Sequence, residues 1–341
     1  MTTIFGFIIV LGILIFVHEL GHFWAARWAG AKVTVFSIGF GRPLWKWKDR
    51  KGTTWQIAAF PLGGFVSVYG LEDMFNRSKY MALSKKDKIG HYLSLRSWKR
   101  AVVIAAGSVM NLLLAWVIYT GLYTGTHQIQ LPTVGQIQET TINFQPGDRI
   151  THINETNVNT WSEMLITKEL TTREMTLTVM RGEEALQFEM PTGIWGILPD
   201  INATEEVHNN IFQAAKKSTN EIWMQSRLML TVIGQMISGN RSAKQLGGVI
   251  SIAETSGRAI TAGIITLLAF IAMLSVNLAI INLLPFPALD GGYITIILIE
   301  TIIRRKINGK TAEWILRIGW ILLLTLIAFT IWNDIARVIA R

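Results

Sequence analysis

Four stretches of the chain are almost uninterruptedly apolar: Ile4 to Ala29, Ala101 to Tyr123, Ile260 to Leu284 and Trp314 to Trp332. Roughly 20 such residues in a helix cross a hydrocarbon layer ~30 Å thick, so each is predicted to span a membrane. After the first run the pattern changes to short alternations, Val33 to Ile38, Leu44 to Lys48, Thr53 to Ala59 and Phe65 to Tyr69, punctuated by Gly39, Gly41, Gly52, Gly63 and Gly64. A period of two with glycine breaks predicts β-hairpins. Bare strand edges are costly in lipid, so these hairpins are expected to line a protein cavity or lie at the membrane interface, with an ordinary loop as the lesser alternative. Leu71 to Lys99 loses periodicity and reads as a solvated loop with short helices. Residues 132–191 combine turn signals (Pro146-Gly147-Asp148, Asn154-Glu155, Arg181-Gly182) with the alternating run Met175 to Met180, which predicts a small α+β domain. From 204 to 238, Val207, Ile211, Ala215, Ile222, Met229, Ile233 and Met236 fall near a helical period and predict a long amphipathic helix, broken at most once.

Composition excludes a wholly soluble protein: of 341 residues, 50% are hydrophobic and 16% charged, with thirteen Trp and fifteen Phe. The net charge of +9 is unevenly spread, with fifteen Lys/Arg against four Asp/Glu between Arg27 and Arg100, and ten against fourteen between Gly125 and Arg258. Basic loops stay cytoplasmic, so Arg27–Arg100 and Arg304-Arg305-Lys306 are expected inside, and the N-terminus and residues 124–259 outside. The same sidedness accounts for the positive charge without a nucleic-acid partner. No Lys or Arg precedes Arg27, so the first run lacks the basic start of a cleaved signal peptide and is expected to be retained. With no cysteine, any metal must be held by His, Asp or Glu.

Within the first apolar run stands His18-Glu19-Leu20-Gly21-His22, an H-E-x-x-H. Histidines at i and i+4 share a helix face and can grip one Zn²⁺, and Glu19 then projects toward the position where water binds, as a general base. Chance is a poor explanation, because polar groups abandoned in hydrocarbon are expensive. Catalytic zinc usually has three protein ligands. The third apolar run ends in Asn282-Leu-Leu-Pro-Phe-Pro-Ala-Leu-Asp290-Gly-Gly, where two prolines break the helix and let a carboxylate turn inward, making Asp290 the candidate third ligand, with a helix cap as its bland alternative. Asn111 reads first as a hydrogen-bonder in helix packing and second as a neighbour of the site. His91, His127, His152 and His208 read as solvated surface residues.

These motifs, with Phe36-Ser-Ile-Gly-Phe-Gly41, Pro61-Leu-Gly-Gly64, Ala106-Gly-Ser-Val-Met-Asn111 and Pro146-Gly-Asp-Arg-Ile150, occur in an order that resembles the site-2 protease family of intramembrane zinc metalloproteases, specifically the bacterial regulator-of-sigma-E proteases, over nearly the whole chain. The resemblance implies a zinc endopeptidase that cuts membrane-spanning segments of single-pass proteins such as anti-sigma-factor-like regulators or signal-peptide remnants, in regulated intramembrane proteolysis within the bacterial inner membrane. An upstream site-1-type protease often shortens the substrate first. It implies zinc ligation by His18, His22 and Asp290, catalysis by Glu19, and substrate contact by Asn282 and by a re-entrant sheet around Gly63 and Gly64. Membrane lipids and the single-pass substrate are the implied partners. The chain departs from the enterobacterial pattern in having one PDZ candidate, Leu131 to Pro191, instead of two. It also lacks the usual helical insert between Gln138 and Pro146, and has Ser108 where proline is common.

The expected fold is therefore a polytopic α-helical membrane protein with four transmembrane helices, membrane-associated β-hairpins and one extracytoplasmic α+β PDZ-like domain. Its divisions are 1–30 (first span), 31–100 (hairpins and basic loop), 101–123 (second span), 124–203 (PDZ-like domain), 204–259 (amphipathic helical segment), 260–292 (third span with its Asn/Asp motif) and 293–341 (loop and fourth span). The alternative in another class is a non-catalytic PDZ scaffold with a structural metal. A metal transporter ranks last, because no inverted repeat accompanies the single site.

Overall fold

A computed structural model describes residues 2–138, 143–171, 174–190, 196–242 and 247–339. The expected irregularity between Gln138 and Pro146 therefore falls largely outside the described residues, as does Pro191. The chain divides into two compact units, one joining Met1–Ile118 with Arg241–Arg341 and the other comprising Tyr119–Asn240.

In the first unit, α1 (Thr2–Ala29) is followed by β1 (Val33–Lys48), β2 (Thr54–Val68), α2 (Arg77–Ala82) and α3 (Ser97–Tyr123), whose last turns enter the second unit. After the second unit come α6 (Val249–Thr261), α7 (Ile264–Leu283), α8 (Asp290–Ile302) and α9 (Gly309–Ile339). Among the described residues, four helices are long and apolar enough to cross a membrane: Thr2–Ala29, Ser97–Tyr123, Ile264–Leu283 and Gly309–Arg337. The third apolar run is not continuous helix from residue 260. Gly263 takes φ +109°, a left-handed conformation that separates α6 from α7.

The two long strands fold back on themselves. Val33, Phe36 and Ile38 face Val68, Val66 and Gly64, while Phe36–Ile38 also stand beside Trp55–Ile57, and Trp45 and Trp47 beside Ile57 and Trp55. The order across the sheet is thus 64–68, 33–38, 54–57, 43–48. Residues 64–68 form one margin, against which no further strand pairs among the described residues. The sheet is fixed to α1 through Phe23, Phe36 and Trp55, whose rings lie 4.4–5.5 Å apart, and through Arg27, which bonds Asp49 and Thr53. His91 corrects the surface assignment: it is 1% exposed, accepts the Leu93 amide at 3.1 Å and packs against Tyr69 and Tyr80.

Near its C-terminal end α9 carries a buried carboxylate, Asp334, which accepts from the amides of Gly248, Ile250 and Ser251. Helix α6 has no side-chain cap of its own, so this distant aspartate satisfies its first turn.

The second unit contains β3 (Gly125–Gln130), β4 (Val134–Ile137), β5 (Arg149–Ile153), β6 (Thr156–Asn157), α4 (Trp161–Leu170), β7 (Met175–Arg181), β8 (Glu184–Met190), β9 (Ile197–Pro199), β10 (Thr204–Asn209) and α5 (Ile211–Ile237). A four-stranded sheet in the order β6-β5-β7-β8 and the pair β4-β9 close on a core of Val134, Ile150, Ile153, Met164, Leu177 and Val179. Asp148, 1% exposed, is held by Arg181 through two 2.8 Å bonds. Residues 204–209 are not helical as expected but a strand, β10, paired with β3 from Thr204↔Gln130 to Asn209↔Gly125. The helix begins one residue after Asn210, whose side chain accepts from Phe212 and Gln213 while Gln213 returns a bond to the Asn210 amide.

Candidate metal centre

Helix α1 places His18, Glu19 and His22 through its period alone. His18 and His22 are one turn apart, and their Nε2 atoms approach to 3.1 Å. Asp290 arrives from the other end of the chain. Pro285 and Pro287 cannot continue α7, the chain turns through Ala288 at φ +79°, and α8 opens on Asp290. The carboxylate Oδ2 then lies 3.3 Å from His18 Nε2 and 3.5 Å from His22 Nε2.

The donor set fits a zinc ion. Ligand atoms about 2.0–2.2 Å from a tetrahedral ion stand about 3.3–3.6 Å from one another, close to the separations here. His22 Nδ1 donates to the Val103 carbonyl at 2.9 Å, which leaves the Nε2 lone pair facing the other imidazole and the carboxylate. Asp290 Oδ2 is buried and receives no hydrogen bond, as an atom meant for a cation would be. His18, His22 and Asp290 form the metal-capable cluster among the described residues.

A cavity of about 500 Å³ opens beside this cluster. Glu19 lines it with the three ligand candidates, and its carboxylate faces the backbone amide of Val66. The strand margin Phe65–Val68 forms another wall, with Leu71, Glu72, Val103, Ile104 and Tyr293 completing it. Two glycines allow the close approach. A Cβ on Gly21 would strike the α3 backbone at Ala106. One on Gly107 would stand 2.5 Å from His22 Nε2 and 2.7 Å from His18 Cε1.

The structure thus gathers His18, Glu19, His22 and Asp290 at one cavity. Gly63 and Gly64 lie on β2 immediately before the four residues that line it, and Asn282 sits partly buried in the last turn of α7, outside that lining. Asn111, which reads first as a packing residue in the sequence, brings its carboxamide to 3.5 Å from His18 Nδ1. The signal was available as a polar residue at mid-span. The parts played by the Val103 carbonyl and Gly107 carry no side-chain signature in a sequence.

Comparison with known proteins identifies the family. The profile of peptidase family M50 matches residues 6–326. Provisionally named zinc metalloproteases from Rickettsia conorii, Campylobacter jejuni and Agrobacterium fabrum are 35%, 34% and 33% identical, each aligned over 98% of this chain and over 99%, 93% and 95% of its own length. Matched along nearly its entire length and bearing, among the described residues, four membrane-length apolar helices, the chain belongs to peptidase family M50, the site-2 proteases, and is a multi-pass membrane zinc metalloprotease.

Proposed function

We propose that the chain is an intramembrane endopeptidase that cuts the membrane-spanning segment of single-pass proteins, with His18, His22 and Asp290 as zinc ligands and Glu19 as the catalytic carboxylate. The observation that carries this reading is the meeting of two imidazoles, a carboxylate without a donor and Glu19 around one cavity walled by an unpaired strand margin. Zinc, when bound, supplies a Lewis acid for the scissile carbonyl and acidifies water. Glu19 handles the mobile proton: its carboxylate takes it from the attacking water and returns it to the leaving nitrogen. The substrate must present an unwound backbone, because a spanning helix keeps its amides in internal bonds. Residues 65–68 offer replacement partners by strand addition, with Gly63 and Gly64 at the start of that margin and Asn282 holding the substrate or the developing oxyanion.

The excess of Lys and Arg between Arg27 and Arg100 supports a bacterial inner-membrane setting with the N-terminus and the α+β domain extracytoplasmic and the hairpins at the cytoplasmic interface. The Pro146–Ile150 turn leading into β5 supports a PDZ type for that domain, suited to handling the shortened outer end of a substrate already trimmed by another protease. On this reading the enzyme acts in regulated intramembrane proteolysis, on anti-sigma-factor-like regulators or signal-peptide remnants. The test is Glu19→Gln, reconstituted in vesicles with a single-pass substrate. Cleavage should fall by at least about 100-fold with zinc content unchanged. Undiminished cleavage removes Glu19 from the mechanism and favours the scaffold alternative.

A further inference from the structure

We infer that Asn111 is a positioning residue for the metal centre, its carboxamide oxygen accepting the Nδ1 proton of His18 and thereby fixing which imidazole nitrogen meets the metal. This rests on the zinc reading of the site. An imidazole that offers Nε2 as a ligand carries its proton on Nδ1, and that donor needs an acceptor when buried. For His22 the acceptor is the Val103 carbonyl at 2.9 Å. For His18, 9% exposed, the group opposite Nδ1 is the Asn111 carboxamide at 3.5 Å, itself 0% exposed.

Asn111 carries the complementary deficit, since its Oδ1 is buried without a partner while Nδ2, a donor, is the end turned to the imidazole. The two ends of a carboxamide are nearly isosteric. A half-turn of the amide exchanges them without moving another atom, converting a donor facing a donor into N–H···O. The nitrogen then points where Oδ1 stood. Ser108 Oγ, another buried oxygen without a partner, is three residues back on the same helix.

The backbone of Asn111 is clamped as well: Ser275 Oγ of α7 donates to its carbonyl at 2.7 Å. Val103, Gly107 and Asn111 follow one another at four-residue steps along α3, so one helix bonds one imidazole, makes room for both and bonds the other. Packing alone accounts for a buried asparagine between helices. It gives no reason for the amide to end on the imidazole nitrogen opposite the one that faces Asp290.

The experiment uses the full chain in detergent micelles, measuring zinc affinity by competition with a chromophoric chelator and ligand geometry from the absorption of the Co²⁺-loaded protein. Asn111→Leu should weaken zinc about 10- to 100-fold and shift the cobalt bands, whereas Asn111→Asp, which keeps an acceptor, should stay within about threefold of the parent. Zinc affinity and cobalt bands identical to the parent in Asn111→Leu overturn the inference. Where Asn111→Leu fails to fold, Asn111→Asp decides: retained affinity supports the role and a tenfold loss overturns it. A parent protein that binds no zinc overturns the metal reading itself, a result distinguishable from either variant's behaviour.

Discussion

In the unit of residues 119–240, Val134, Ile150, Met164, Leu177 and Val179 are wholly enclosed, and the deeply buried Asp148 is paired with Arg181. In the other unit, Phe5, Trp314, Ile321 and Leu324 are exposed, while the enclosed positions include His18, Ser108, Asn111, Ser275 and Asp334. The contrast follows from the solvent. Water drives apolar groups inward, so the α+β unit is organised by a hydrophobic core. Lipid exerts no such drive between helices, and the interior of a bundle collects the groups that lipid rejects. One unit is therefore organised around what it hides from water, whereas the other also encloses polar groups, among them an imidazole of the proposed metal centre.

That contrast can be broken most sharply at Asp290. Asp290→Ala should take the purified protein from about one zinc per chain to near none by metal analysis, with the α+β unit still folded, because a catalytic site with only two protein ligands falls short of the usual three. Full metal content would remove Asp290 from the ligand set. Leu177→Ala should do the converse, costing about 2–5 kcal/mol in the unfolding of the α+β unit while zinc content stays unchanged. Loss of zinc in that variant would mean the two units are not separable as described. Gly107→Ala should cost about 1–3 kcal/mol by crowding the imidazoles and should lower metal affinity, read by chelator competition. Parent-like affinity would show that α3 can move aside.

The smallest effect concerns acid. The hydrogen bonds from Arg181 hold the Asp148 carboxyl below the ordinary carboxylate range, outweighing the opposing effect of burial. A folded pKa below the unfolded value, about 3.9, means this pair's contribution is complete above that pH and is lost as pH falls through the folded pKa. Circular dichroism of Asp148→Asn should show a shallower loss of stability below about pH 4 than the parent. Superimposable acid curves would exclude the pair as a contributor.

What the sequence revealed follows from range. H-E-x-x-H was legible because its spacing is one helical turn, and Asp290 because two prolines announce a break beside a carboxylate in an apolar run. The apolar runs announced themselves by length, although the break at Gly263 was hidden within one of them. Residues 204–209 were misread because Val207 coincides with a helical spacing, while the partner that makes them a strand, β3, lies across the entire α+β domain in sequence. The local correction was present in Asn210 and Gln213, the two ends of a capping box. His91 looked solvated among lysines, and only folding brings Tyr69 and Tyr80 over it. Asn111 was visible as a mid-span polar residue, but its partner, His18, is on another helix.

The groups that meet at the cavity leave the ribosome at widely separated times, His18, Glu19 and His22 with α1 and Asp290 only with α8. In the proposed enzyme a nascent chain, or one cut short before residue 290, would have the base and two ligands in the bilayer without the third. Unfinished copies would then be harmless to neighbouring membrane proteins, and hydrolytic competence would begin only once α8 has been made.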